Sequence, residues 1–310
     1  MTAMNADWPD HTDPRHTDPR HTDPRHTDPR HTDPRHTDPD DSALLAALAD
    51  LAERVALHAA ELLRRGLTST QVEIETKSSG TDMVSEMDRA AERLIVDELQ
   101  AERPDDAILG EEGTNRAGTS GIRWVIDPLD GTTNYLYRHP SFSVSIAAEP
   151  DDSTMTAESA GRAAVVGVVV DIASGDRFRA VKGQGATHNG QPITVSSETE
   201  LARALVATGF GYDADRRRSQ AAVLARIIGD IRDIRRMGSA ALDLCSMACG
   251  HVDAYYELGL APWDLAAGAL IASEAGADIT YLPGSVLGPA TLVAAPPALS
   301  PGLIALLQES

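Results

Sequence analysis

From residue 44 onward, Leu44, Leu45, Leu48, Leu51, Val55, Leu62 and Leu63 recur at the spacing of one helix face. Ser42 stands where a cap belongs and Gly66 where a helix stops, so the pattern predicts a helix over 42–65. A second helical stretch runs from Ser85 to about residue 101, ahead of Pro104, with Met87, Ala91, Leu94, Ile95 and Leu99 on its apolar side. The period then shortens. Runs at 107–110, 122–126, 141–147, 163–170 and 177–181 read as strands, and His188-Asn189-Gly190-Gln191 reads as a hairpin turn. Beyond residue 195, predicted strands at 204–208, 233–236, 252–257, 277–281 and 291–295 alternate with helices at 215–228, 239–249, 263–274 and 301–307. Two helices followed by a meandering sheet make an α+β unit, and the alternating half makes an α/β unit. The expected division is a domain over 42–195 and a second over 196–310.

The first 41 residues follow another rule. His-Thr-Asp-Pro-Arg occurs five times from His11 to Arg35, and a sixth copy ends in Asp40. A proline at every fifth position removes helix hydrogen bonds, and there is almost nothing apolar to bury. The expectation for 1–41 is a disordered, solvated tail. It holds six of the ten histidines, so weak transition-metal binding is the alternative role.

Composition narrows the partners. Hydrophobic residues make up 42% of the chain, enough for a sizeable core. Of the net charge of −20, the tail carries only −5, from ten acids and five arginines, so the acidic character belongs to the folded part. That argues against nucleic acid as substrate or partner. No apolar run reaches about 18 residues, which argues against a membrane span, and no secretory signal opens the chain. Cys245 and Cys249 lie four apart in a helical run and read as small buried hydrophobes of a reducing compartment. The expected location is the cytoplasm.

The sharpest chemistry lies in Trp124-Val125-Ile126-Asp127-Pro128-Leu129-Asp130-Gly131-Thr132-Thr133-Asn134. A hydrophobic strand ends in a carboxylate, Pro128 stiffens the turn, and Gly131 lets backbone approach a ligand. Backbone N–H groups at Gly131 and Thr132 suit an anion, and the two aspartates suit a metal. The alternative reading is an Asx-turn with a capped helix. Gly110-Glu111-Glu112-Gly113 also follows a short apolar strand; its adjacent glutamates point different ways, and it reads equally as a surface turn. In Ala261-Pro262-Trp263-Asp264-Leu265-Ala266-Ala267-Gly268, Asp264 starts a helix and reads equally as a complement to its dipole. Together Glu111, Asp127, Asp130 and Asp264 offer the hard oxygen ligands of Mg²⁺, with no His/Cys zinc spacing.

In order and spacing these three motifs resemble the signatures of the inositol monophosphatase family, most closely its bacterial SuhB-type branch, over roughly residues 43–309. The resemblance implies alternating α-β-α-β-α layers of the inositol monophosphatase and fructose-1,6-bisphosphatase type. It also implies a lithium-sensitive, Mg²⁺-dependent homodimer with two to three ions per site. Glu111, Asp127 and the Leu129 carbonyl would hold one ion; Asp127, Asp130 and Asp264 would hold a second. Glu111 would support a third through water. Thr132 and Asp88 would position the attacking water, although Ser85 and Asp88 are also spaced as a helix cap and its acid. Lys77 and Asp82, in the segment leading to Asp88, would play supporting roles.

For the organic half of the substrate, Glu257 would accept ring hydroxyls. The backbone of Gly238, Ser239 and Ala240 would contact the ring, and Asp130 would bind both a metal and a hydroxyl. Gly131 and Thr132 amides would meet the phosphoryl oxygens. Arg236 would support the acidic cluster or a dimer contact, and His139 reads as structural. The implied reaction is hydrolysis of inositol monophosphates to myo-inositol and phosphate by metal-activated water. Histidinol phosphate or another sugar or nucleotide phosphate is the rival substrate, and a regulatory protein that keeps the scaffold is the non-enzymatic rival. The polar stretch 114–121 reads as a lid or as a solvated loop.

Overall fold

In the computed structural model, which describes residues 39–68, 74–76, 83–152, 161–284 and 290–308, the first apolar stripe forms helix α1 (Pro39–Thr68). It starts three residues before Ser42 and runs past Gly66, at both ends longer than the pattern predicts. Proline is tolerated in a first helical turn because its missing N–H has no partner there. The end of the last repeat copy is therefore helical. Gly66 marks close packing instead of a helix end: a Cβ there would stand 2.5 Å from Tyr135 Oη. Residues 1–38, Lys77 and Asp82 lie outside the described residues.

Strands β1 (Ile74–Thr76) and β2 (Met83–Ser85) pair antiparallel ahead of α2 (Glu86–Glu102). An eight-stranded sheet follows, built from β3 (Ala107–Gly110), β4 (Asn115–Arg116), β5 (Ile122–Asp130), β6 (Ser143–Pro150), β7 (Val166–Asp171), β8 (Arg177–Val181), β9 (Ala186–His188) and β10 (Gln191–Pro192), with the short helix α3 (Thr132–Tyr137) after β5. Its order is β10-β9-β8-β7-β6-β5-β3-β4, and only the β3–β5 pairing is parallel. Asn189 and Gly190, with φ of 50° and 77°, make the predicted hairpin turn. The 114–121 stretch is no free lid. Part of it is β4, and Thr119 and Ser120 N–H both bond the Asp105 carbonyl, at 2.8 and 3.1 Å.

The second half contains β11 (Leu205–Thr208), α4 (Ala214–Ile227), β12 (Asp233–Arg235), α5 (Ala240–Ala248), β13 (Ala254–Leu258), α6 (Pro262–Glu274), β14 (Asp278–Leu282), β15 (Thr291–Ala295) and α7 (Ser300–Gln308). Its sheet runs β12-β11-β13-β15-β14, with β12, β11 and β13 parallel and β15 antiparallel to both its neighbours.

Three slabs of core bind these elements into one unit over Pro39–Ser310. Helices α1 and α2 cover one face of the large sheet; α5 and α6 fill the space between the sheets; α4 and α7 cover the far face of the small one. The layers are thus α-β-α-β-α. Strand β7 shows why its sequence is continuously apolar: Val168 and Val170 enter the α1–α2 slab, while Val169 enters the α5–α6 slab. A sheet covered on both faces has no polar side.

Strand β5 runs four residues beyond its predicted end, and this positions the Asp motif. Pairing with β6 is in register through Asp127↔Ser145, breaks, and resumes at Asp130↔Ser143. Pro128 has no N–H for the ladder and falls in the break, as proline in a sheet must. In an even strand, residues three apart point to opposite faces. The irregularity re-aims one of them, so both aspartates serve one end of the sheet.

Candidate active site

Asp127 is 1% exposed, and its Oδ1 accepts the Leu129 N–H at 3.0 Å. The Asx-turn is therefore real, and it coexists with the carboxylate cluster. Burial, then the charges of Glu111, Asp130, Asp264 and Asp88, push the Asp127 pKa well above the usual carboxylate range. Asp264 is raised in the same way, first by burial and then by Glu111 and Asp130. Its Oδ2 accepts the Ala261 N–H at 2.7 Å, so it also secures the start of α6. Burial lifts Asp130 to about 6, even though Ser239 Oγ (2.5 Å) and Ala241 N–H (2.8 Å) donate to its Oδ2 and oppose the rise.

The adjacent glutamates diverge as expected. Glu111 acts on Asp127 and Asp264, whereas the carboxylate of Glu112 stands 3.9 Å from the Arg89 guanidinium. Asp88, buried in the first turn of α2, takes a 3.1 Å hydrogen bond from Thr132 Oγ1. That hydroxyl also lies 3.1 Å from the Leu129 carbonyl, and its single hydrogen can serve one acceptor at a time. Gly131 precedes α3 at φ 92°, where a side chain is strained.

On the organic side, Asp130, Gly131, Gly238, Ala240, Glu257 and Asp264 share the wall of a cavity of about 150 Å³. Glu257 accepts the Tyr255 hydroxyl at 2.7 Å, and burial raises its pKa to about 7 against that bond. Ser239 is 0% exposed and spends its hydroxyl on Asp130 and on the Leu242 N–H that caps α5. Its side chain secures a carboxylate and the loop instead of reaching the cavity. His139 is exposed, its ring nitrogen 2.8 Å from the Pro140 carbonyl, apart from the carboxylates.

Several residues without a role in the sequence reading hold this arrangement. Asn134 Nδ2 donates to the carbonyls of Ser141 (2.7 Å) and Met237 (2.8 Å), tying the Asp motif to the Gly238 loop. Arg216 lines the cavity, beside Arg236, which the sequence assigns to the acidic cluster or a dimer contact. Asp243 is 1% exposed, and burial, then the charges of Glu257 and Asp130, push its pKa well above the usual carboxylate range. Only Asn134 had a signal in the sequence, its place within the Asp motif.

The desolvated carboxylates destabilise one another as charges, which calls for a counter-charge. Their donor set is all oxygen, the chemistry of a hard divalent cation. Among the described residues no three His, Cys, Asp or Glu side chains already stand close enough together to hold an ion. Asp130 and Asp264 accept backbone N–H groups, from Ala241 and Ala261. The residues fit a metal in chemistry and location.

The family model described as "Inositol monophosphatase family" matches residues 44–310. The chain belongs to the inositol monophosphatase family. It is 42% identical over 248 residues to the inositol-1-monophosphatase of Mycobacterium leprae, covering 76% of this chain and 81% of that one. It is 36% identical to the Nus factor SuhB of Escherichia coli K12, over 76% and 86% of the two chains. The crystal structure of extragenic suppressor protein SuhB from Bartonella henselae superposes with a TM-score of 0.76 at 31% identity, over 85% of this chain and 99% of that one. The layered α/β architecture is thus that of the family, whose members are generally metal-dependent phosphatases of small phosphomonoesters. No helix among the described residues is long and apolar enough to cross a membrane.

Proposed function

We propose that this protein hydrolyses inositol monophosphates to myo-inositol and phosphate with Mg²⁺, as a cytoplasmic homodimer sensitive to lithium. The observation that carries the reading is the set of desolvated carboxylates, in which Glu111 and Asp130 raise the pKa of both Asp127 and Asp264, beside the Thr132–Asp88 pair. Glu111, Asp127, Asp130, Asp264 and the Leu129 carbonyl would hold two to three ions. Bound there, Mg²⁺ supplies acidification of water and charge for the phosphoryl oxygens.

The chain's own residues do the rest. Asp88 accepts the Thr132 hydroxyl's hydrogen bond, which leaves the Thr132 oxygen free to accept a hydrogen bond from water and so aim that water's lone pair at phosphorus. With the hydrogen turned to Asp88, the Leu129 carbonyl is available to a cation. The Gly131 and Thr132 amides meet the phosphoryl oxygens in a desolvated pocket, where such bonds are strong. Glu257 and Asp130 accept hydroxyls of the polyol, and the backbone at Gly238 and Ala240 borders the ring. No side-chain nucleophile is required.

A second reading has one observation in its favour: the Escherichia coli relative is named a Nus factor, so this chain would serve a transcription-related partner. The complete carboxylate set favours catalysis. Phosphate release from myo-inositol 1-phosphate and histidinol phosphate, titrated with Mg²⁺ and then Li⁺, tests the choice. Mg²⁺-dependent, Li⁺-inhibited turnover that favours the inositol ester supports the proposal. Preference for histidinol phosphate overturns the assignment of Glu257, and no turnover of either ester overturns the enzyme reading.

A further inference from the structure

Helix α2 carries a second buried carboxylate one turn after Asp88, on the same inward side. Glu92 is 5% exposed and has no cation beside it among the hydrogen bonds and ion pairs of the described residues. Its hydrogen bonds come instead from the loop after β3. Oε2 accepts the Glu112 N–H at 2.8 Å; Oε1 accepts both the Thr114 N–H at 3.1 Å and the Thr114 hydroxyl at 2.7 Å. The fit is close: a Cβ on Gly110 would stand 2.5 Å from Oε2 and 2.8 Å from the carboxyl carbon, so glycine at 110 makes room for this carboxylate. Glu111 lies immediately before the first clamped residue, Glu112. Its own N–H bonds the Ile126 carbonyl at 3.2 Å, and Gly110 N–H bonds the Thr114 carbonyl at 2.7 Å. The loop is thus fixed on both sides of Glu111, by β5 and by Glu92.

We infer that Glu92 is a positioning residue: by clamping Glu112 and Thr114 it aims the Glu111 carboxylate at Asp127 and Asp264 and so sets the cation affinity of the site. A buried carboxylate that takes three donors from one short loop is a costly way to hold a surface turn, because its desolvation is offset only while all the donors stay in place. The arrangement makes sense if the loop must resist a force. Glu111 supplies one, since it must be held near two other carboxylates that repel it. Helix α2 then works as a jig: Asp88 orients Thr132, and Glu92, four residues on, orients Glu111. The inference rests on the reading of Glu111 as a metal ligand given above.

Mn²⁺ serves as the probe, counted by electron paramagnetic resonance and titrated by calorimetry on the full chain, with circular dichroism to establish folding. Glu92→Gln places an amide N–H₂ against one of the loop donors and removes the charge. Outer-sphere partners of this kind typically alter metal affinity about 10–100-fold, so we expect a loss of at least about tenfold at one Mn²⁺ site with the fold retained. Thr114→Val removes only the hydroxyl donor and should weaken the same site in the same direction by a smaller factor; it stands in if the Gln variant does not fold. Tight Mn²⁺ binding by the wild type that both variants match overturns this inference alone. Failure of the wild type to bind Mn²⁺ overturns the metal reading beneath it as well.

Discussion

Thr132 Oγ1 donates to Asp88 Oδ2 at 3.1 Å, across 44 positions of chain, and joins the first turn of α2 to the turn after β5. Together the two residues place a hydroxyl beside the carboxylate cluster. Thr132→Ala should therefore cut kcat by about 10²-fold, the scale of a lost proton-positioning group, while KM for inositol 1-phosphate changes little. Thr132→Ser keeps the hydroxyl and should retain most of the rate. Steady-state kinetics at saturating Mg²⁺ decide it; a KM effect with unchanged kcat would contradict the role.

Asp127→Asn should act in opposite directions on rate and stability. Turnover should fall by about 10²-fold or more, because charge aimed at the transition state is lost. The amide oxygen can still accept the Leu129 N–H, and one charge leaves a cluster in which burial and four other carboxylates oppose ionisation. In chelator the variant should then melt above the wild type in the neutral range. Near-wild-type Mg²⁺-dependent turnover would remove Asp127 from the site.

Stability of the metal-free protein should fall as pH rises. Asp130 titrates at about 6 and Glu257 at about 7 in the fold, against 3.8 and 4.5 in a free chain. Between those values the folded state holds protons that the unfolded state has released, so unfolding becomes easier with each step of pH. The loss from these two groups should begin near pH 4 and end a little above pH 7. Mg²⁺ should flatten this slope by replacing the protons. Melting curves from pH 4 to 8, in EDTA and in Mg²⁺, measure it; a Tm that climbs with pH in EDTA would be the wrong sign.

Gly209→Ala tests the polyol wall. The added Cβ would lie 1.9 Å from Glu257 Oε2 and 2.2 Å from its carboxyl carbon, so the side chain must turn away from Tyr255 and the cavity. A lost hydrogen bond or two corresponds to about a tenfold rise in KM for inositol 1-phosphate. A phenyl phosphate, which has no hydroxyls to recognise, should be hydrolysed as before. Equal losses on both esters would mean that Glu257 does not face the polyol.

Much of the architecture was legible in the chain itself, and the misses have physical causes. The ranges 107–110, 177–181 and 291–295 match β3, β8 and β15: the first and last are short apolar runs, and 177–181 alternates arginine with apolar residues. Strand β5 was cut short at Ile126 because Pro128 looks like an end, when it is the residue around which the strand bulges. Gly66 was misread as a stop for a related reason: its missing side chain serves Tyr135 and Met87, which are remote in sequence.

The site divides along the same line. Local pattern alone determined that a strand ends in Asp127, that a tight turn carries Asp130, and that helices begin near Asp88 and Asp264, since these depend on neighbours within a few residues. Only tertiary structure decided that Thr132 meets Asp88, that Ser239 serves Asp130 and not the cavity, that Asn134 ties two loops together, and that Glu92 holds the loop of Glu111. Those contacts span 20 to 109 positions of chain. They exist because α2 and α5 are packed by their apolar faces on opposite sides of the large sheet. Burial of those faces chooses the neighbours, and the polar side chains can only bond what packing brings within reach.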